Sequence, residues 1–295
     1  MPRRTLAREI EIEGVALHAG TRVHMRLAPA MPGSGVAFRR NDLGGAIISA
    51  RYDQVGQTRL GTVIENGNGA SVGVIEHLMA AVAGCEIDDL DVILDGPEPP
   101  ILDGDALSYL SLLSQAGVVD TAGSREAIKV KRPVSREAIK VKRPVSVGTK
   151  EARAALFPSE TREFRFEIDF PSAAIGHQAL KWRFSREGFA ADIAPARTFG
   201  FVHEIEALNK SGLGRGASLE NTLAIEGDKV INSSLMRFPD EFVRHKILDA
   251  IGDLALAGAP ILGRFEGHRS GHGLNNQLLR ALFSDPDNYN RVSLD

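Results

Sequence analysis

Cysteine is almost absent: Cys85 is the only one in 295 residues. An internal disulfide is therefore excluded, and a reducing, cytoplasmic setting is expected. Long apolar runs are missing too. No stretch approaches the roughly 18 residues of a membrane span, and the opening MPRRTLAREIEIEG lacks the apolar centre of a signal peptide. Neither charge sign dominates. A net charge of -3 argues against a wholesale nucleic-acid or polyanion binder, while leaving room for local patches. What is present is an ordinary globular composition, 43% hydrophobic and 25% charged, long enough for one large domain or two of usual size.

The first stretch alternates in polarity, so TLAREIEIEGVALHAGTRVHMRLAPA reads as two strands joined by a Gly-bearing turn near His18. Shorter strand signals follow at Gly35–Phe38, Ala46–Ile48 and Thr62–Ile64. A helical pattern runs from Val74 to Val82, with Gly84 placed as the residue just past its end. LDVILDG reads as a strand, and Ala106–Ala116 as a second helix. In the second half FRFEIDF and HQALKWRFS read as strands. PARTFGFVHEIEALNKSG is a turn entering a short helix, and a Gly-rich turn at 213–217 follows it. A long helix comes next, then PILGRFEGH as a strand and GLNNQLLRALF as a last helix. Strands and helices occur in both halves without regular β-α-β alternation, which favours an α+β protein.

SREAIKVKRPV occurs twice in succession, at Ser124–Val134 and Ser135–Val145. One repetition is too few for a solenoid, which needs at least three stacked units. Each copy holds a strand-like AIKVKRPV ended by proline, and together they create a basic cluster of Lys129, Lys131, Arg132, Lys140, Lys142 and Arg143. A nucleic-acid arm would interleave aromatics with such charge, and none is present. The expectation is a duplicated strand at the boundary between two halves, one copy in the sheet and the other looped out nearby.

The long helix contains RHKILDAIGD. Pro239, Asp240 and Glu241 make its start; Gly258 and Pro260 make its stop. At about 100° per residue, Ile247, Leu248, Ile251, Leu254 and Ala255 gather on one side. His245, Asp249 and Asp253 follow at four-residue spacing on another, with Lys246 at their flank. Residues four apart are neighbours, so His245 and Asp249 could grip one metal ion. Taken alone, the same stripe reads more simply as a solvated face. A catalytic zinc takes three protein ligands and needs a base beside it. IEHLMAAVAG offers Glu76 and His77, which point about 100° apart on a helix, although an exposed helix start explains them as well. EHLMAAVAG loosely echoes RHKILDAIG, as if two related halves each presented a His from one helix. In GHRSGHGLNN, His268 and His272 flank a turn before the last helix, and a histidine there could act as an acid.

EHLMAA, LDGDA, ARTFGF, DEFVRHKILDAIGDL and GHRSGHGLNN occur here in the order and near the spacing of a known family. With GVALHAG and TRLGTVI, they make the whole chain resemble the zinc-dependent UDP-3-O-acyl-N-acetylglucosamine deacetylases, bacterial enzymes of the committed step of lipid A synthesis. The resemblance implies that His77, His245 and Asp249 ligate zinc, or ferrous iron in the cell, and that Glu76 is the general base. His272, protonated, would stabilise the oxyanion or deliver a proton to the leaving amine, with Asp253 steering its ring. Lys246 and Thr198 would stabilise developing negative charge. Substrate contacts are implied for Phe199, Glu204, Arg269 and His18. Arg269 stands where many members carry Lys, keeping the charge but presenting a fork.

The implied fold is two similar halves, residues 1–122 and 123–295, each a β-sheet packed with two helices, with the site between them. An insertion near 198–224, including Phe199, Val202, Ile205, Gly214 and Ala217, would form the acyl passage. The implied substrate is a lipid-bearing UDP-sugar, with no nucleic acid and no integral membrane segment involved; a monomer is expected. Removing one repeat copy restores family spacing, and activity is expected to survive the extra residues because the catalytic motifs lie outside them. The rival from another class is a non-catalytic module that binds anionic ligands through the basic repeat.

Overall fold

In the strand Arg22–Pro29, Val23, Met25 and Leu27 are buried while Arg22 and His24 stay exposed, so alternation gives one wet and one dry face. Five strands share that pattern in the order Ile10–Val15, Arg22–Pro29, Leu90–Leu94, Val36–Arg40, Ala46–Ser49. The neighbours are antiparallel, except that Val36–Arg40 and Leu90–Leu94 run parallel. The computed structural model describes residues 1–121 and 136–294. A seven-stranded sheet follows later in the chain. Its central strand, Ile261–His268, pairs with Arg153–Phe157, Glu137–Val141 and Arg162–Asp169.

The helices of the described residues are α1 (Glu76–Gly84), α2 (Leu107–Ala116), the single turn α3 (Arg186–Gly188), α4 (Val202–Lys210), α5 (Glu241–Ala255) and α6 (His272–Phe283). The architecture is α+β, and none of these helices is long and apolar enough to cross a membrane. Helix α1 packs on α2 and α5, and α5 on α6, so α1 and α5 lie against each other at the centre. Leu78 and Met79 of α1 and Ile247, Leu248 and Ile251 of α5 are buried in one continuous apolar core. The crossing of α1 and α5 depends on Gly252. A Cβ there would lie 2.0 Å from the Glu76 carbonyl oxygen, closer than any side chain allows.

Two helix boundaries differ from the sequence expectation. Val74 has a positive φ of 53°, outside the helical region, so α1 starts at Glu76. Gly84 is the last helical residue and not the one beyond the end. A Cβ on it would meet the Phe189 ring at 2.3 Å, so glycine serves packing there rather than termination.

Phe199–Phe201 runs parallel to Leu223–Glu226, with α4 and the Gly-rich turn between them. This segment is anchored to the first part of the chain: the Gly216 N–H donates to the Leu17 carbonyl at 2.9 Å, and the Thr198 N–H to the Gly104 carbonyl at 2.8 Å.

The second repeat copy forms the strand Glu137–Val141, with Ala138, Ile139 and Val141 buried; the first copy, Ser124–Val134, lies outside the described residues. Charge on the second copy is matched internally. Arg136 pairs with Asp88 at 3.0 Å, Lys140 with Glu160 at 2.7 Å and Lys142 with Asp287 at 4.0 Å, while Arg143 donates to Asn288 at 2.7 Å and pairs with Asp285.

Candidate active site and metal centre

The crossing of α1 over α5 brings His77 against His245 and Asp249. One nitrogen or oxygen from each lies within 4.8 Å of the others. His77 Nε2 is 3.8 Å and His245 Nε2 3.4 Å from Asp249 Oδ1, and the two rings meet edge to face. All three are buried, at 4%, 3% and 2% exposure. The charged stripe of RHKILDAIGD is therefore not a solvated face, and Asp253 is buried with it.

Two atoms in this cluster lack any hydrogen-bond partner: His77 Nδ1 and Asp249 Oδ1. Burying a polar atom unpaired is costly, and Asp249 Oδ1, the atom that His77 Nε2 and His245 Nε2 both approach, is open to a group that accepts its lone pair. Nδ1 of His245 faces the Ala196 carbonyl at 3.1 Å, which orients the ring and leaves Nε2 toward Asp249. Burial, reinforced by His245, pushes the pKa of His77 down to about 3; burial also lowers that of His245. Both rings are thus neutral near pH 7, the form a metal requires. Burial alone would raise the pKa of Asp249, but Lys246 and His245 outweigh it and hold the carboxyl below its usual range. Lys246 reaches Asp249 Oδ2, and although burial disfavours its charge, this carboxylate holds its pKa above the ordinary lysine value. Two neutral imidazoles and a carboxylate make a donor set suited to a divalent transition metal.

Glu76 is adjacent in sequence to His77 and just as buried, at 4% exposure. Its Oε2 accepts from the Thr62 N–H at 2.9 Å, and its Oε1 lies 3.7 Å from His272 Nε2. Burial is the main reason its pKa is pushed up to about 7, against the opposing pull of His272. At His272 the balance reverses. Burial disfavours the imidazolium, yet Asp253 and Glu76 together hold its pKa at about 10. Its Nδ1 is 2.9 Å from Asp253 Oδ2. A carboxylate poised near neutrality therefore faces a histidine that stays protonated.

A cavity of about 610 Å³ opens over this pair. Glu76, His77, Thr198, Phe199, Glu204, Ile205, Gly214, Ala217, His245, Lys246, Asp249, His272 and His18 all line it. Val202 and Arg269 are not among its lining residues, and neither is Asp253, which lies behind His272. Arg269 instead has φ of 48°, in the turn that leads into α6. Phe199 stands between Phe242 and Phe170, with ring centroids at 4.9 and 5.9 Å, as part of an aromatic wall. His268 is turned elsewhere, 3.4 Å from Glu167.

Sequence reasoning did not single out Thr62, Asn275 or Phe170. Thr62 and Asn275 sit inside quoted motifs, but spacing alone gave neither a role; Phe170 joins the wall only through tertiary folding.

Residues 3–284 match the LpxC family model, described as UDP-3-O-acyl N-acetylglycosamine deacetylase. The chain is similar to a UDP-3-O-acyl-N-acetylglucosamine deacetylase of Phenylobacterium zucineum, 46% identical over 276 residues, covering 93% of this chain and 90% of the relative. Enzymes of the same name from Chromobacterium violaceum and Myxococcus xanthus are each 42% identical. They cover 99% and 98% of this chain, and 94% and 89% of their own. With its donor cluster, its facing Glu76 and His272 and this likeness along nearly its whole length, the chain belongs to the UDP-3-O-acyl N-acetylglycosamine deacetylase family.

Proposed function

We propose that this chain hydrolyses the acetamide of a UDP-3-O-acyl-N-acetylglucosamine, releasing acetate and the free amine, in the committed step of lipid A synthesis. Family membership supports the substrate, and the buried His77–His245–Asp249 cluster beside Glu76 carries the chemistry. His77, His245 and Asp249 would hold one ion, zinc, or ferrous iron in the cell. Such an ion supplies Lewis acidity, polarising the acetamide carbonyl and acidifying the attacking water.

Glu76, with its carboxyl poised near neutrality by burial, takes the proton from that water as the new C–O bond forms. Lys246 and Thr198, both on the cavity wall, stabilise the charge that develops on the carbonyl oxygen. His272 then delivers a proton to the departing nitrogen as the C–N bond breaks, while Asp253 fixes its ring through Nδ1. Phe199, Ile205, Gly214 and Ala217, all on the cavity wall, receive the acyl chain, with 198–224 as its passage. His18 and Glu204, both on the cavity wall, contact the sugar and nucleotide. The site lies between two halves, 1–122 and 123–295, of a cytoplasmic monomer. The internal pairing of the second repeat copy favours this reading over an anion-binding module.

Metal analysis alongside acetate release from the UDP-sugar tests the reading. Glu76→Ala is expected to keep its metal while kcat falls by about 10²–10⁴-fold, the usual contribution of a general base. Near-full activity in that variant would remove Glu76 from the role.

A further inference from the structure

Thr62 uses every polar group it has, and two of them reach carboxylates of the candidate site. It is 2% exposed. Its N–H donates to Glu76 Oε2 at 2.9 Å, and its hydroxyl donates to Asp253 Oδ1 at 2.5 Å. Its carbonyl accepts from the Ile75 N–H at 3.4 Å, immediately before α1 begins. Glu76 Oε1 in turn faces His272 Nε2 at 3.7 Å, and His272 Nδ1 meets Asp253 Oδ2 at 2.9 Å. These contacts close a ring through Thr62, Glu76, His272 and Asp253. The ring draws its members from the segment before the strand Val63–Glu65, from α1, from α5 and from α6.

The Asp253 end of the ring is fixed from a second side. Asn275 Nδ2 donates to Asp253 Oδ2 at 2.8 Å, and Ser270 Oγ donates to Asn275 Oδ1 at 2.8 Å, which settles which end of the amide faces the carboxylate. Asn275 touches only Asp253 among the proton-carrying groups. Thr62 is the residue that binds both carboxylates.

We propose that Thr62 is a positioning residue that locks the base Glu76 and the His272–Asp253 acid into one rigid frame. It thereby sets the distance between the group that takes a proton and the group that gives one. This rests on the roles given above to Glu76 and His272. The hydroxyl is the separable half of the device, because the backbone N–H survives any substitution except proline. Without it, Asp253 keeps His272 and Asn275 but loses the tie to the Glu76 side. His272 can then drift relative to Glu76, while His77, His245 and Asp249, none of which Thr62 touches, keep their places. Partners in the outer layer of a metal site typically contribute 10–100-fold.

The experiment compares Thr62→Val, Thr62→Ser and the wild type as metal-loaded enzymes assayed for acetate release from the UDP-sugar. Thr62→Val is expected to lower kcat by about 10–100-fold with KM and metal content unchanged, and Thr62→Ser to restore most of the loss. In an Asp253→Asn background, Thr62→Val should add little further, because the hydroxyl acts through Asp253. Thr62→Ala gives the same comparison should valine misfold, with folding checked by thermal melting. The proposal is overturned if loss of the hydroxyl leaves kcat unchanged, if the loss appears in KM or metal content, or if it is equally large without Asp253. A wild type that binds metal but releases no acetate would instead overturn the reading of function.

Discussion

Glu241 and Asp249 lie about two turns apart on α5, both carboxylates and both buried, yet they are treated in opposite ways. Glu241, at 0% exposure, is saturated. Its Oε1 accepts from the Arg197 N–H at 3.0 Å and from Arg197 Nε at 3.1 Å, and its Oε2 accepts from the N–H groups of Arg237 and Phe238 at 2.5 and 3.4 Å. Asp249 has Lys246 on Oδ2 and no donor on Oδ1. A carboxylate whose lone pairs are all answered by the chain has a structural task. One left partly open among neutral imidazoles is open toward something the chain does not supply.

The strongest way to break this contrast is to remove each carboxylate in turn. Asp249→Ala should abolish metal binding, lower acetate release to background and remove the rise in melting temperature that added zinc gives the wild type. Metal content and melting curves with and without zinc are the measurements; a variant that still binds stoichiometric metal would deny Asp249 its place. Glu241→Ala should do the reverse. It strands the buried Arg197 guanidinium, 3% exposed, and breaking a buried pair costs about 3–5 kcal/mol. Urea unfolding should register that loss, while the fraction that remains folded keeps its metal.

A smaller effect sharpens the comparison within the site. In the proposed reaction Glu76 must be ionised to accept a proton, and burial pushes its pKa up to about 7. His272 must be protonated to give one, and despite burial Asp253 and Glu76 keep its pKa at about 10. Activity therefore rises as pH passes the first value and falls as it passes the second, giving a bell-shaped kcat/KM profile. A bound cation disfavours protons nearby, so both limbs of the metal-loaded enzyme should lie at or below these values. Asp253→Asn removes the largest charge that supports the imidazolium and should move the alkaline limb to lower pH. A limb that stays in place would mean that another group carries it.

The contrast on α5 was only half legible beforehand. Spacing put His245, Asp249 and Asp253 on one side of a helix, and the Pro239 and Gly258 signals bounded it well. Burial was not legible, because it depends on α1 lying across that side, and α1 can lie there only because Gly252 admits the Glu76 carbonyl. The echo between EHLMAAVAG and RHKILDAIG hinted at paired helices without fixing where they touch. Gly84 shows the same gap: a helix-end glycine in the sequence proves to be a seat for the Phe189 ring. Thr62 falls in a strand signal and in TRLGTVI, but neither gives it a role, since its three hydrogen bonds go to residues whose nearness is tertiary. The strands were easier, because alternation in Arg22–Pro29 or Ile261–His268 is a local property that survives in any sheet.

The repeat tests the saturated side of the comparison most gently. In the second copy, Arg136 is 3% exposed and answered by Asp88 and Glu86, and Arg143 is answered by Asn288 and Asp285. On either side of residues 122–135 the chain is tied to its own beginning: the Thr121 N–H donates to the Arg3 carbonyl at 2.8 Å, and the Arg136 N–H to the Met1 carbonyl at 2.9 Å. Deleting residues 124–134 leaves each of these partners in place. It also removes none of the residues of the metal cluster, the Thr62 ring or the cavity wall. The deletion variant should therefore keep the kcat/KM of the full chain. Stability should be kept as well, because the partners of the second copy all remain. Urea midpoints of the two chains measure this directly. A fall in stability would mean that residues 124–134 make contacts the second copy cannot replace, and a fall in kcat/KM would tie them to the site.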